Sequence, residues 1–222
     1  MARTASPPRG RQRPPLSRER VLREALRVAD GSGIDALSMR RLGQLLGVEA
    51  MSLYRHVADK EDLLDGIADL VMAEIEPPST DTDWRAAIRR SAISVHDALR
   101  RHPWAGPVIE SRLRPGPARL GYLNAVIGVL RAAGFSLPMV ANAFMALDSH
   151  IYGFTMQELN MPFAIEDAPE VVAMLARTIF ADYPNVFAMA ELAAAGGESI
   201  PVDFEFGLDL ILDGLERLRA TL

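Results

Sequence analysis

Residues 37–60, LSMRRLGQLLGVEAMSLYRHVADK, decide the fold of this 222-residue chain. The stretch predicts two short helices joined by a tight turn. Ser38 is a typical N-cap residue, and Gly47 can adopt the left-handed conformation that ends a helix. In the second helix Leu53 and Val57 face inward, while the outer side carries hydrogen-bonding and basic groups. Such a helix packs with one side and enters a DNA major groove with the other.

The sequences on both sides of this motif extend it into a family resemblance. An amphipathic helix precedes the motif, and GVEAMSLYRHVADKEDLL (47–64) closes the unit. Together they resemble the DNA-binding domain of the TetR family of bacterial repressors. Further on, GFSLPMVANAF (134–144), HIYGFTMQE (150–158) and FEFGLDLILDGLE (204–216) resemble the C-terminal domain of the tetracycline repressor subgroup. The resemblance covers residues 16–218.

This resemblance implies an all-α fold with an N-terminal three-helix, helix-turn-helix DNA-binding domain. A larger helical domain for ligand binding and dimerisation follows. We expect residues 1–15 to form a disordered basic arm, because they are rich in Arg and Pro and have no apolar pattern. Residues 16–60 then form the DNA-binding domain and residues 61–222 the body. A helix over 60–76 should connect the two, and the Ala- and Gly-rich segment 183–199 should be mobile.

The charge is unevenly distributed along the chain. Residues 1–60 carry 12 basic and 6 acidic residues, a net charge of +6, whereas the rest carries 12 basic and 23 acidic residues, a net charge of −11. A basic first quarter on an acidic body is typical of a nucleic-acid reader attached to a second functional unit. Repulsion between the acidic body and phosphate favours docking in one orientation.

Composition also excludes several classes of protein. The chain has no cysteine, so disulfides and thiolate metal sites are excluded. We expect neither a signal peptide nor a membrane span, and therefore a soluble cytoplasmic protein without a membrane partner. Metalloprotease, phosphate-loop and nucleophile-elbow motifs are missing from the sequence. We therefore expect no enzyme activity and no cofactor.

The resemblance assigns DNA contacts to both helices of the motif. Arg40 and Arg55 can pair bidentately with a guanine edge, and the hydroxyl, His and Lys side chains suit phosphates. The tetracycline repressors carry Gln, Pro and Trp at the positions of Ala50, Met51 and Arg55. The operator of this chain should therefore differ from theirs. The alternative is an ordinary solvated polar helix face. The predicted DNA-binding residues are Arg40, Ala50, Met51, Ser52, Tyr54, Arg55, His56 and Lys60.

The predicted ligand site lies in the body. His150 and Glu158 match the inducer-site His and Glu of the repressors, but they lie roughly 12 Å apart along one helix. They cannot share an ion within one subunit. A single His on an apolar helix is equally consistent with a core or interface role. Ile109 stands where the repressors carry their magnesium-binding His, so we predict no metal site and an inducer of unknown identity. The predicted ligand-binding residues are Ser91, Val95, Arg114, His150, Phe154 and Glu158.

Two wide apolar helices, over 137–159 and 202–221, predict a homodimer built on a four-helix bundle. Gly207 and Gly214 lie on one face of the second helix and would allow close approach. The expected function is a repressor that binds a palindromic double-stranded DNA operator and releases it when a small molecule binds the body. Two alternatives remain open. One is a regulator that activates or has no effector, and the other is a helical protein-interaction module.

Overall fold

A computed structural model describes residues 15–160, 174, 178–180, 182–194 and 203–221. The expected arm over residues 1–15 lies outside this part of the chain, apart from Pro15. Within it the secondary structure is helical, without strands, which confirms the predicted fold class. None of the described helices is long and apolar enough to cross a membrane. The helices are α1 (Arg18–Ser32), α2 (Met39–Leu46), α3 (Ala50–Leu53), α4 (Lys60–Met72), α5 (Trp84–Arg101), α6 (Ala105–Ser111), α7 (Pro117–Ala132), α8 (Leu137–Asn160), α9 (Pro184–Ala194) and α10 (Phe204–Arg219).

Helix α1 packs against α2 and α4, α3 packs against α2, and together they form a small head. Their apolar faces meet in one core, and its most completely buried side chains include Val21, Leu42, Leu53, Leu63 and Ile67. Leu53 and Val57 face inward as expected. Burial of each such side chain stabilises the head by about 1.5–3 kcal/mol before the entropy cost of ordering the chain.

The body packs α5 against α7, α8 and α10. Ion pairs reinforce the contact between α5 and α10, where Arg85 pairs with Asp213 and Arg89 pairs with Glu205 and Asp209. Because the charges line the edge of an apolar contact, they fix the register of the two helices more than they add to stability.

Three elements differ from the sequence predictions. The second helix of the motif covers only Ala50–Leu53, and a hydrogen-bonded turn follows in which the His56 N–H donates to the Leu53 carbonyl. The connector helix ends at Met72 rather than at residue 76. The segment that we expected to be mobile contains helix α9. Alanine is the strongest helix former, and its abundance there outweighs the flexibility that we attributed to the segment.

Candidate nucleic-acid interface and ligand site

The turn of the motif depends on a cap and two glycines. The Ser38 hydroxyl accepts a hydrogen bond from the Arg41 N–H at 3.2 Å and so caps α2. Gly47 ends α2 in the left-handed conformation, with φ of 69°. Gly43 allows the close approach of α2 to α3, because a methyl group there would lie 2.8 Å from the Val48 carbonyl oxygen and 3.1 Å from the Ala50 nitrogen. These contacts fix the angle at which α3 leaves the head.

The predicted DNA-binding residues lie along one edge of the head. Met51 is 75% exposed, and Arg40, Tyr54, Arg55 and Lys60 are exposed as well. The other three, Ala50, Ser52 and His56, are half-buried. Cations, hydroxyls and one apolar side chain thus occupy accessible positions of α2, α3, the turn after α3 and the start of α4, which we call the exposed edge.

Arg18, at the start of α1, binds the turn after α3 and the first turn of α4. Its guanidinium donates two hydrogen bonds to the Asp62 carboxylate, at 2.6 and 2.8 Å, and a third to the His56 carbonyl oxygen at 3.0 Å. The Asp62 carboxylate also accepts the Ala58 N–H at 2.8 Å. The Arg18 hydrogen bond holds the pKa of Asp62 below its usual value. Arg18 therefore joins the start of α1 to the turn after α3 and to α4.

A cavity lies between α5, α7 and α8 in the body. Its wall is largely apolar, and its polar members are Ser91, Tyr122 and Asp148. The free volume is about 10 Å³, which is room for about one water molecule. The remaining lining residues are Ile88, Ala92, Val126, Phe144, Leu147 and Ile151. A drug-sized molecule would have to widen this space, since ligand pockets typically measure about 300–1,000 Å³.

One predicted ligand residue lies in this cavity, and the others are distributed elsewhere. Ser91 lines the cavity, and its hydroxyl donates to the Glu76 carbonyl oxygen at 2.8 Å. Val95 is buried in the core of the body, outside the cavity wall. Arg114 lines a second narrow cleft against α4, together with Asp65, Asp69 and Arg112 among others.

His150, Phe154 and Glu158 form a separate cluster around the start of α10. His150 Nε2 makes a hydrogen bond of 2.9 Å with the Phe204 carbonyl oxygen, and its ring stacks on Phe204 at 5.0 Å. His96 stacks on the other face of Phe204 at 4.1 Å and pairs with Glu158 at 2.8 Å. These contacts give His150 the structural partners of a core residue. Its role at an inducer site stays a prediction.

Comparison with known proteins settles the family. The model of bacterial regulatory proteins of the tetR family matches residues 21–67, and that of the tetracyclin repressor-like C-terminal domain matches residues 76–219. The chain belongs to the TetR family. The second match covers more than half of the chain and confirms the resemblance to the tetracycline repressor subgroup.

Relatives of this TetR-family protein include regulators of known activity. It is 34% identical to the HTH-type transcriptional repressor DrrR1 of Streptomyces coeruleorubidus over 96% of this chain and 82% of that protein. The Streptomyces coelicolor TetR family protein ActR in complex with actinorhodin aligns with a TM-score of 0.77 and 25% identity, over 91% of this chain and 96% of ActR. BioQ with its natural double-stranded DNA operator aligns with a TM-score of 0.65 and 25% identity, over 91% and 99% of the two chains. The protein is therefore a TetR-family transcriptional regulator, and its relatives belong to a non-enzymatic class.

In this TetR-family structure the connector α4 is attached to the body along its whole length. Near its start, Arg112 binds Glu61 and Asp65. Near its end, the Asp69 carboxylate accepts the backbone N–H groups of Ala118 and Arg119, at 2.9 and 3.2 Å, and so caps α7. Any movement of the 112–116 loop or of α7 must therefore act on α4.

Beyond the end of α4 a polar clasp joins the head to the body. Asp30, near the end of α1, accepts a hydrogen bond from Trp104 Nε1 at 2.7 Å and bonds to His102 Nδ1 at 2.7 Å. Glu74 reaches His102 Nε2 at 3.3 Å and also pairs with Arg101. His102 and Trp104 are both buried. We call Asp30, Glu74, His102 and Trp104 the head–body clasp.

Sequence reasoning missed the clasp and two of the three polar residues of the cavity wall, Tyr122 and Asp148. Asp30 and His102 are 72 positions apart, so local periodicity carries no signal for their pairing. Asp148 was detectable, because it occupies a position on the buried stripe of α8 formed by Phe144, Leu147 and Ile151. A carboxylate on an apolar stripe at spacings of three and four is a recognisable anomaly.

Proposed function

We propose that this TetR-family regulator is a ligand-responsive homodimeric repressor that binds a palindromic operator and releases it when a small molecule enters the body. One observation carries the proposal: the same helix, α4, borders the exposed basic edge of the head and is attached to the loop and helix beside the body's clefts. A change in the body is thereby linked to the position of the head. ActR bound to actinorhodin and BioQ bound to its operator support the two halves of this function.

The exposed edge has the chemistry needed to read a major groove. Arg40 and Arg55 can each make two parallel hydrogen bonds to guanine, and Met51 offers an apolar contact to a thymine methyl group. The hydroxyls of Ser52 and Tyr54 suit phosphate oxygens. His56 and Lys60 add positive charge at the same edge. We infer that all eight predicted residues lie at the operator interface.

Two substitutions separate base reading from phosphate binding. Arg55→Ala should weaken operator binding by about 1–3 kcal/mol and relax the preference at one base pair. Lys60→Ala should weaken binding to all sequences alike. It should also make the slope of the logarithm of the binding constant against the logarithm of the salt concentration shallower by about one. Fluorescence anisotropy with DNA that flanks the gene, with every single-base variant of the site and at several salt concentrations, measures both. If Arg55→Ala weakens all sequences alike, Arg55 is not a base-reading residue.

The dimer is inferred from an uncovered apolar face. On α10, Phe206 is 67% exposed and Leu210 is 56% exposed, and Leu218 continues the same side of the helix. On α8, Met145 is 60% exposed. Isolated exposed apolar side chains are common, but a continuous face of two packed helices is typical of an interface. A second copy would cover it with the same face and close a four-helix bundle.

The two glycines of α10 have different surroundings. A Cβ on Gly207 would collide with the His150 ring of the same subunit, whereas a Cβ on Gly214 would meet open space. Only Gly214 is therefore available to a partner. Gly214→Glu should place a charge in the bundle and dissociate the dimer, as measured by analytical ultracentrifugation. Asp213 is adjacent but pairs with Arg85, and Asp213→Asn is a control that should keep the dimer. A dimeric Gly214→Glu variant would show that the face is wrong.

Ligand release requires different affinities of the ligand for two states of the dimer. In the described structure the cavity between α5, α7 and α8 is too narrow for a drug-sized molecule, so binding must move these helices. Such movement acts on α4 through Asp69 and Arg112 and changes the separation of the two heads. DNA binding needs recognition helices about 34–36 Å apart. We retain Ser91, Val95, Arg114, His150, Phe154 and Glu158 as candidate ligand contacts.

A metabolite screen tests this mechanism directly. A compound that raises the melting temperature of the protein should also release the operator in an anisotropy assay. A compound that stabilises the protein and strengthens operator binding would identify a co-repressor. If compounds that stabilise the protein leave operator affinity unchanged, the regulator has no effector site in its body.

A further inference from the structure

We propose that Asp148 is the specificity residue of the body cavity and selects aromatic ligands that carry a protonated amine. This inference rests on the proposed ligand-responsive function and names the chemical class of the ligand. The observation behind it is a carboxylate in the wall of an otherwise largely apolar cavity. Apolar walls with a few placed polar groups are the usual construction of a ligand site, and the polar groups determine which ligand fits.

Asp148 lacks a counter-ion within the described part of the chain. No hydrogen bond or ion pair to its carboxylate is formed by residues 15–160 or 203–221. The nearest cation that acts on it is Arg119, but the Arg119 guanidinium pairs with Glu110 at 2.9 Å and donates to the Ile109 carbonyl oxygen. Glu110 adds a repulsive negative charge. Among the described residues, Arg119 thus offsets the Asp148 charge only from a distance, without a direct ion pair.

The ionisation of the neighbouring groups follows from this arrangement. Burial, with a contribution from Glu110, raises the pKa of Asp148 to about 6. Burial also raises the pKa of Tyr122 to about 12, so that this side chain stays a neutral hydroxyl, and the pKa of Tyr152 is raised too. At pH 7.5 the cavity wall thus carries one carboxylate, Asp148, and one neutral phenol, Tyr122. Burying an unpaired carboxylate costs free energy, and a ligand cation would remove that cost.

The rest of the wall indicates what the cation is attached to. Tyr122 and Phe144 supply aromatic rings, and Ile88, Val126, Leu147 and Ile151 supply aliphatic surface. Aromatic rings pack well in such a slot, and a cation near Tyr122 gains from its ring face as well. An anionic ligand would meet Asp148 and Glu110, and a purely apolar ligand would leave the carboxylate buried without a partner.

The test uses two probes of one shape. 2-Naphthylmethylamine carries the cation, and 2-naphthylmethanol replaces it with a neutral hydroxyl. Isothermal titration calorimetry with the full-length protein at pH 7.5 should show the amine binding at least tenfold tighter than the alcohol. Asp148→Asn keeps the size of the side chain and should reduce this preference to less than threefold. Asp97→Asn, at an exposed position of α5, should keep the preference.

The results that would overturn the role of Asp148 differ from those that would overturn the proposed regulatory function. Equal binding of the two probes to the wild type, no binding of either, or an unchanged preference in Asp148→Asn would each overturn the proposal. Anisotropy with the flanking DNA is recorded on the same samples. Operator binding by both proteins shows that they are folded and that the regulator function stands. Loss of operator binding by the wild type would refute the proposed function instead.

Discussion

Substitution of Asp30, the central acceptor of the head–body clasp, should destabilise the protein more than is usual for a partly exposed residue. Asp30 binds two buried groups, Trp104 Nε1 and His102 Nδ1, both at 2.7 Å. In Asp30→Ala both groups lose their partner. A hydrogen bond to a charged group contributes about 1.5–3 kcal/mol, and water that enters beside the one-third-exposed carboxylate position recovers part of this. We expect the free energy of unfolding to fall by about 2–4 kcal/mol.

Urea titration at fixed protein concentration measures this change, with tryptophan fluorescence reporting Trp104 in the clasp together with Trp84 in the body, and circular dichroism reporting all helices. In the wild type the two signals should coincide. In Asp30→Ala the fluorescence should change at lower urea, because the head no longer unfolds together with the body. Asp35→Ala is the matched control, since this aspartate is exposed in the turn before α2 and its removal should cost less than about 0.5 kcal/mol. A loss below about 0.5 kcal/mol in Asp30→Ala would refute the clasp.

Three further substitutions test the head and the cavity. Gly43→Ala should lower the free energy of unfolding by about 1–3 kcal/mol and weaken operator binding more than tenfold, because its methyl group pushes α3 away from α2; Gly31→Ala, which meets open space, should change neither measurably. Asp148→Asn should raise the melting temperature at pH 7.5 but much less at pH 4, because the raised pKa makes the carboxyl destabilising as the pH rises from its ordinary pKa of 3.8 to about 6, and the full cost is present above that; an equal effect at both pH values would contradict this. Asp62→Asn should lower the melting temperature at pH 7 by breaking the pair with Arg18, and this loss should vanish as the pH falls below the lowered pKa of Asp62, whereas a loss that is independent of pH would exclude the charge as its cause.

The sequence predicted the elements that local rules determine. Ser38 and Gly47 bracket α2 as expected, and the apolar stripes predicted α8 and α10 to within two residues. Caps, glycines and helical periodicity act over a few residues, so they can be recognised without the fold. The same rules overextended α3, because the contact between Arg18 and the His56 carbonyl, which holds the chain in a turn, comes from 38 positions away.

The candidate sites also divide into one that neighbouring residues determine and one that depends on residues distant in the sequence. The DNA-reading edge was predictable, because its residues lie within 21 positions of one another on two short helices. The ligand site was not, because it depends on which faces of α5, α7 and α8 meet. His150 and Glu158 share a side of α8, but the partner of Glu158 is His96 on α5, whereas the partner of His150 is the Phe204 carbonyl at the start of α10. Asp148 shares the cavity with Tyr122, which lies 26 residues away on another helix.

The central claim is that the two heads of one dimer read a symmetric site. Hydroxyl-radical footprinting on DNA that flanks the gene tests this claim most directly. We predict two protected half-sites related by a palindrome, with centres about 10–10.5 base pairs apart. The Gly214→Glu variant should protect neither half-site at protein concentrations that saturate the DNA with the wild type. A single protected half-site, or protection without sequence preference, would contradict the account.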